Sequence, residues 1–401
     1  MALLSIPTSM SDPEFRRYTL GSVVALTGMW GQRTVLAWLS WDLTGAAFWV
    51  GIVAFCSFAP TIFLSPIFGV FADRGNLKRA ALLIQVFQAI VTSAALGFYV
   101  LGWLSIWPLT VFALAYGIVM SAHHPVRMAL TPLLVRRENL PNAIAVSSMT
   151  FNLARLLGPA VAGIIIADYG VGPALTLTIV TTLILLWVLT SLKPQDAVGK
   201  ATAPVGIIAA VTEGVSIAMG RRIIRQSLLL TAIFALIVRG MLELLPTLAD
   251  GVFQRGADGL GQLMAAAGAG ALCSAILIAG RAPPGAVTLP RRAIAAIFGG
   301  FLATTMIGLV DLWALALLGV AASGFCGTYV GVTLQSTVQM NIRDGERGRV
   351  MSLWSIVAIG AAAVGALLLG AAADVVGASS ALWGGGVLGA AGIALVLAFD
   401  R

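Results

Sequence analysis

Four charged side chains lie inside stretches that are otherwise apolar: Arg33, Arg155, Arg239 and Glu243. A charge at the centre of a membrane helix costs roughly 2.5–3.5 kcal/mol on insertion scales, so each such residue is a functional candidate. Glu243 is the carboxylate placed deepest. Lipid disfavours its charged form and Arg239, four residues earlier, favours it, so it can load and release a proton. The alternative is a permanent Arg239–Glu243 ion pair. Guanidinium groups bind carboxylates and phosphates in bidentate fashion. Three of them against one acid therefore favour an anionic or zwitterionic small molecule over a lipophilic cation. Arg155 has a second reading, as a packing residue before Gly158 and Pro159. Neutral polar groups accompany the arginines: Gln32 beside Arg33, Asn152 one turn before Arg155, and Gln335 and Gln339 on one face. The last two fit either a binding cavity or an interhelical hydrogen bond. His123 and His124 are the two histidines. They titrate near neutrality and could relay protons, or simply line a solvated helix end.

The elements that must position these groups follow from composition. Of 401 residues, 59% are hydrophobic and 10% charged, against about 25% charged in globular proteins. Apolar runs of about 20 residues, each able to cross a bilayer core, recur along the whole length. They are continuous rather than alternating, so they predict helices and not a barrel. Twelve spans are expected, near 17–41, 46–72, 79–101, 106–127, 141–166, 171–192, 224–248, 258–280, 292–310, 313–338, 349–373 and 378–399. With the N-terminus in the cytoplasm, 20 of the 24 Lys and Arg residues face that side. The exceptions are Arg33, Arg155 and Arg239 within spans and Arg255 opposite. That skew predicts cytoplasmic N- and C-termini, and it reads the net charge of +8 as topology rather than nucleic-acid binding. Trp38, Trp41, Trp49, Trp103, Trp107, Trp313 and Trp383 are expected to form an interfacial belt. Cys56, Cys273 and Cys326 lie in apolar runs without CxxC spacing, which predicts buried thiols. Neither a metal nor a cofactor is expected.

The chain divides into an expected six-helix bundle over 1–192, a linker over 193–223 and a second six-helix bundle over 224–401. In the linker Ile207, Ile208, Val211 and Val215 recur at helical spacing, as in an amphipathic surface helix. The halves echo each other at an offset of roughly 205 to 213 residues. Arg16-Arg17 matches Arg221-Arg222, Gly69 with Lys78-Arg79 matches Gly280 with Arg291-Arg292, and Ala167-Asp168 matches Ala373-Asp374. Paired repeats with a midplane site are a transporter architecture. Stripes of small residues, Gln262-Ala266-Gly270-Ser274 and Ala362-Ala366-Gly370-Asp374, read as helix-packing scaffold. The densest charge in the first third is Gly69-Val70-Phe71-Ala72-Asp73-Arg74, followed by Lys78 and Arg79. It is either a turn held in by positive charge or a conformational gate. In the second reading Gly69 permits close packing, Asp73 meets a helix N-terminus, and Arg74, Lys78 and Arg79 stay in the headgroup layer.

That stretch resembles the signature between helices two and three of the major facilitator superfamily, with Asn76 where the family usually has Gly. Asn152 to Gly163, NLARLLGPAVAG, is similar to the fifth-helix Gly-Pro motif of superfamily exporters and puts Gly158 and Pro159 among gate residues. Leu244 to Leu272 and Arg347 to Trp354 resemble the bacterial subgroup that includes the enterobactin exporter and macrolide efflux proteins. The resemblance spans the chain. It implies an all-α membrane protein with twelve transmembrane helices in two pseudo-symmetric six-helix bundles.

These observations combine into one expectation: a proton-coupled exporter of a small amphipathic, siderophore- or drug-like compound. It would work by alternating access as a monomer in a bacterial inner membrane. Alternatives are a metabolite uniporter or importer, or, from other classes, a membrane sensor or intramembrane enzyme. No HExxH, GxSxG or Walker motif is present, which weighs against the enzyme and against a built-in ATPase.

Overall fold

The computed structural model describes residues 8–194, 207–279, 289–343 and 346–399. Its main elements are helices. Six long ones come first: α1 (Pro13–Thr44), α2 (Ala47–Arg74), α3 (Leu77–Val100), α4 (Ile106–Leu130), α5 (Leu140–Tyr169) and α6 (Val171–Ser191). A shorter helix α7 (Ile207–Gly220) precedes the second set. That set opens with α8 (Arg222–Phe234), a π-helical segment Ala235–Arg239, one α turn α9 (Gly240–Glu243) and a second π segment Thr247–Val252. It continues with α10 (Gly256–Ala279), α11 (Arg291–Leu309), α12 (Trp313–Met340), α13 (Arg347–Val376) and α14 (Ala378–Phe399). Eleven helical stretches are long and apolar enough to cross a membrane. The 32-residue α1 adds a twelfth long helix that is more polar. The protein is thus an all-α, multi-pass membrane protein. Its outward faces are apolar, with Phe63, Leu83, Trp187, Leu302 and Leu388 all exposed.

The residues group into two compact units. The first comprises Met1–Leu36 and Phe63–Pro204; the second comprises Ala37–Ile62 and Val205–Arg401. Residues 37–62, the end of α1 and the start of α2, thus group with the second unit although they precede it in the chain. The reason is visible in the contacts. A side chain at Gly51 would strike the Ala366 carbonyl of α13 at 2.6 Å, and one at Gly370 the Ala47 carbonyl at 2.5 Å. Asp374 accepts the Ala47 and Phe48 amides at 2.8 and 3.1 Å, capping α2. The Trp41 indole donates to Asp250 at 2.8 Å. The small-residue stripe of α13 is therefore scaffold, as expected, and Asp374 adds a cap. Gly270 and Gly324 play the same part where α10 meets α12.

Each unit has its own apolar core. In the first it is built on Phe15, Leu77, Leu130, Leu185 and Leu189, in the second on Phe234, Ile297, Phe301, Leu334 and Trp354. Each is also stapled at the start of its leading helix. Asp12 accepts from Arg136 Nε at 3.0 Å and from Asn139 at 2.8 Å. Burial pushes the Asp12 carboxyl up, but the bonds from Asn139 and Arg136 outweigh it and hold it below the ordinary aspartate value. In the second unit Arg221 donates to the Asn341 carbonyl at 2.8 Å and pairs with Glu346. Glu213 of α7 pairs with Arg349.

Two expectations need correction, and a third falls partly outside the described residues. Trp103 and Trp107 are exposed as a belt requires, but Trp38 is buried, and Trp41 and Trp313 spend their indole N–H groups on Asp250 and Gln262. Cys273 is exposed rather than buried, on the apolar face beside Leu272 and Ile276. α7 lies where the surface helix is expected, while the side chains of Ile207, Ile208 and Val211 fall outside the described residues, as do Gly280 and residues 195–206.

Candidate functional site

The α1–α5 crossing positions the site in the first unit. A Cβ on Gly158 would come within 2.6 Å of the Thr27 carbonyl and 2.7 Å of Trp30 Cβ. One on Gly31 would meet the Gly158 carbonyl at 3.1 Å. Glycine is required on both sides because the two backbones touch. Pro159 follows inside α5 without ending it. Gly158 and Pro159 thus serve the crossing, which fixes Trp30 and Arg33 of α1 against Phe151 of α5.

Around that crossing runs a chain of stacked groups. The Arg33 guanidinium lies 5.6 Å from the Trp30 ring centroid. Trp30 meets Phe151 edge-on at 5.6 Å, and His124 of α4 meets Phe151 edge-on at 6.1 Å. Arg127 of α4 sits 4.7 Å over the Phe151 ring. Cation–π contacts of this kind contribute about 0.5–2 kcal/mol each. The Trp30 indole nitrogen is buried and meets no acceptor among the described residues. Arg33, Phe151 and Arg155 are half-buried, while His124 and Asn152 are exposed. Arg155 follows Phe151 by one turn. The face therefore offers hydrogen-bond donors, positive charge and two aromatic rings, with no carboxylate among the groups named.

Other expected site residues behave differently. Gln32 is fully buried and turned away from this face. It accepts from Gln88 and Thr92 of α3, the latter at 3.0 Å, so it belongs to the bundle core and not to a lining. Asn152 donates to the Ser148 carbonyl of its own helix at 2.9 Å. His123 and His124 are neighbours in sequence but not in environment. Successive helix residues point about 100° apart, and His123 is buried in the bundle while His124 is exposed. They do not form one solvated helix end. Arg127, counted above with the cytoplasmic charges, is instead buried: α4 runs on to Leu130 and carries it inside.

In the second unit Arg239 closes the first π segment and Glu243 closes α9. Arg239 reaches α12, where one of its terminal nitrogens stands 2.9 Å from the place a Gly331 side chain would occupy. Gln335 and Gln339 follow Gly331 at intervals of four on α12, both half-buried. The helix breaks at Leu244, two residues before Pro246, after which the second π segment begins. Loss of the proline amide explains the freed turn.

The gate residues also need revision. A side chain at Gly69 would meet nothing within 4 Å among the described residues. Asp73 and Arg74 close α2, and their side chains lie outside the described residues. Lys78 has a defined partner. It donates to the Thr190 and Leu192 carbonyls at 2.8 and 2.6 Å, capping the end of α6. Arg79 is exposed. Asn76, at φ −75°, caps α3 by accepting the Arg79 amide at 3.0 Å.

Comparison with known proteins places this geometry among transporters. The family described as transmembrane secretion effector matches residues 7–400. Curated relatives include the enterobactin exporter EntS of Shigella boydii serotype 4 (strain Sb227) and that of Escherichia coli O81 (strain ED1a). Each is 27% identical over 402 residues, covering 92% of this chain and 87% of the relative. Among solved structures, a bacterial homolog of the human lysosomal transporter Spinster, inward-facing and unoccupied, aligns with a TM-score of 0.70 at 15% identity. That alignment covers 97% of this chain and 96% of the other. The nucleoside transporter NupG gives a TM-score of 0.68 at 10% identity, covering 97% of this chain and 99% of the other.

Proposed function

The chain belongs to the transmembrane secretion effector family of the major facilitator superfamily, and from there we propose that it is a proton-coupled exporter of a small, amphipathic, anionic or zwitterionic compound. As a superfamily transporter it takes a small-molecule substrate and works in a lipid bilayer. The observation that carries the finer reading is the Arg33–Trp30–Phe151–His124 face. It presents aromatic rings for stacking, a guanidinium, and an indole N–H lacking an acceptor among the described residues. An anionic aromatic molecule answers all three, since the rings accept its π-face and the donors its negative oxygens. The EntS relatives, named as exporters of enterobactin, support a siderophore-like cargo and a bacterial inner membrane. Glu243 remains the best carrier of the coupling proton, because it follows the π segment of Arg239 and precedes the break at Leu244. In this reading the N- and C-termini are cytoplasmic, the protein acts as a monomer, and the two units correspond to the two bundles apart from residues 37–62.

A thermal-shift screen of the purified protein in detergent tests this. Anionic aromatic ligands are expected to raise Tm and cationic ones not to. Arg33→Ala and Arg155→Ala should lose the shift in whole or part. Stabilisation by cations, or by anions equally in the arginine variants, overturns the reading.

A further inference from the structure

Arg127 is a buried cation to which the transport reading gives no contact with the cargo. It is 5% exposed. One terminal nitrogen donates to the Ser147 carbonyl at 3.0 Å and the carbon centre stacks on Phe151. Its Nε is buried and meets no acceptor among the described residues. Beside it lies a small cavity of about 10 Å³ bordered by Tyr18, Gln85, His123 and Arg127, with Leu185 and Leu189 among its apolar walls. The free space within that envelope admits about one water-sized particle.

Among the described residues no carboxylate neutralises this guanidinium. The cavity is walled by α1, α3, α4 and α6, and the last three contain neither Asp nor Glu. In α1 the acids are Glu14 and Asp42. Glu14, one turn before Tyr18, accepts the Lys193 amide at 2.9 Å and faces Arg17 at 3.7 Å. Asp42 stands about 36 Å further along the helix from Tyr18. α5, which supplies Ser147 and Phe151, holds its single acid, Asp168, in its last turn. Among the described residues this charge therefore has no counter-charge, and burying an uncompensated charge is strongly unfavourable. A water molecule would satisfy Nε but leave that charge in place. Tyr18, Gln85 and His123 each bring a group able to donate a hydrogen bond to a negative centre.

We propose that this cavity binds one small monovalent anion of the halide class, which serves as the resident counter-ion of Arg127. The size of the space excludes carboxylates and phosphates. The anion site touches the proposed cargo face through the Arg127–Phe151 stack, but chloride binding is measured without cargo, so the two readings fail separately.

The test is equilibrium binding of radiolabelled chloride to the purified full-length chain in detergent, with gluconate as the balancing anion. One saturable site per chain, displaced by bromide, is expected, together with a higher Tm in chloride than in gluconate at equal ionic strength. Arg127→Gln should abolish binding. Gln85→Leu, a milder change, should weaken it by about tenfold through loss of one charge-assisted hydrogen bond. Folding is checked by a monodisperse elution profile, and should Arg127→Gln fail that check, Gln85→Leu decides. Absence of saturable binding to the folded wild-type chain overturns the proposal. So does binding unchanged in a folded Arg127→Gln or Gln85→Leu variant.

Discussion

The leading helices of the two halves carry comparable chemistry on different backbones. α1 runs from Pro13 to Thr44 as one continuous α-helix. Two consecutive residues hold it, Gly31 touching α5 and Gln32 bonding into α3, while Arg33 stacks on Trp30 of the same helix. Its counterpart, from Arg222 to Val252, leaves α geometry twice. One π segment ends at Arg239, and after the break at Leu244 a second begins at Thr247. Each π turn inserts a residue, disturbs the hydrogen-bond ladder and shifts the register of the residues after it; such turns recur at functional sites. The difference teaches how labour divides in the proposed mechanism. α1 presents a fixed recognition face, and its counterpart offers a backbone with more than one way to place Arg239 and Glu243.

The sharpest way to break that comparison is Glu243→Gln. Export driven by a pH gradient in proteoliposomes should fall to background, while the ligand-induced thermal shift survives. Loss of both together would mean the second helix also builds the recognition face. Next comes Gly158→Val, which drives methyl groups into Thr27 and Trp30 of α1. Overpacking at a backbone contact costs about 1–3 kcal/mol, so Tm should drop and ligand stabilisation should fail with it. An unchanged Tm would show that the crossing is not tight. A smaller effect should appear in hydrogen exchange followed by mass spectrometry. Amides across 235–252 are expected to exchange about tenfold faster than those across 25–36, because irregular turns open at lower free energy. Equal protection would remove the contrast between the helices. The smallest effect concerns Asp12. Its folded value is depressed, so the staple contributes fully above the ordinary carboxylate range and is lost as pH falls through the folded value. Asp12→Asn should cost about 1 kcal/mol at pH 7, with the deficit vanishing in acid. A deficit independent of pH would point to shape rather than charge.

Much of this is legible in the sequence, for physical reasons. Spans are read from apolar runs because lipid leaves the backbone no alternative, and ten of the twelve expected spans match a single helix to within a few residues. α1 and the α8-to-Val252 stretch differ: one starts earlier than expected and the other is interrupted. Charges inside those runs are equally visible. The direction in which each side chain points is not. Gln32 and Arg33 are adjacent, yet one bonds into α3 and the other stacks on Trp30. Arg127 is missed because it sits where a span is expected to end; its spacing of four from His123, inside a helix with Pro125, is the available signal. The π turns have no signature in residue type. The role of Asn76 is visible in hindsight as an N-cap placed before an apolar helix.

The two staples are of opposite polarity: Asp12 reaches Arg136, and about 210 residues later Arg221 reaches Glu346. A duplicated chain emerging from a ribosome risks docking a leading helix onto the wrong half. Here such an exchange would set Asp12 against Glu346 and Arg221 against Arg136. Two like-charge encounters would replace two attractive ones, so the inverted signs would disfavour such an exchange.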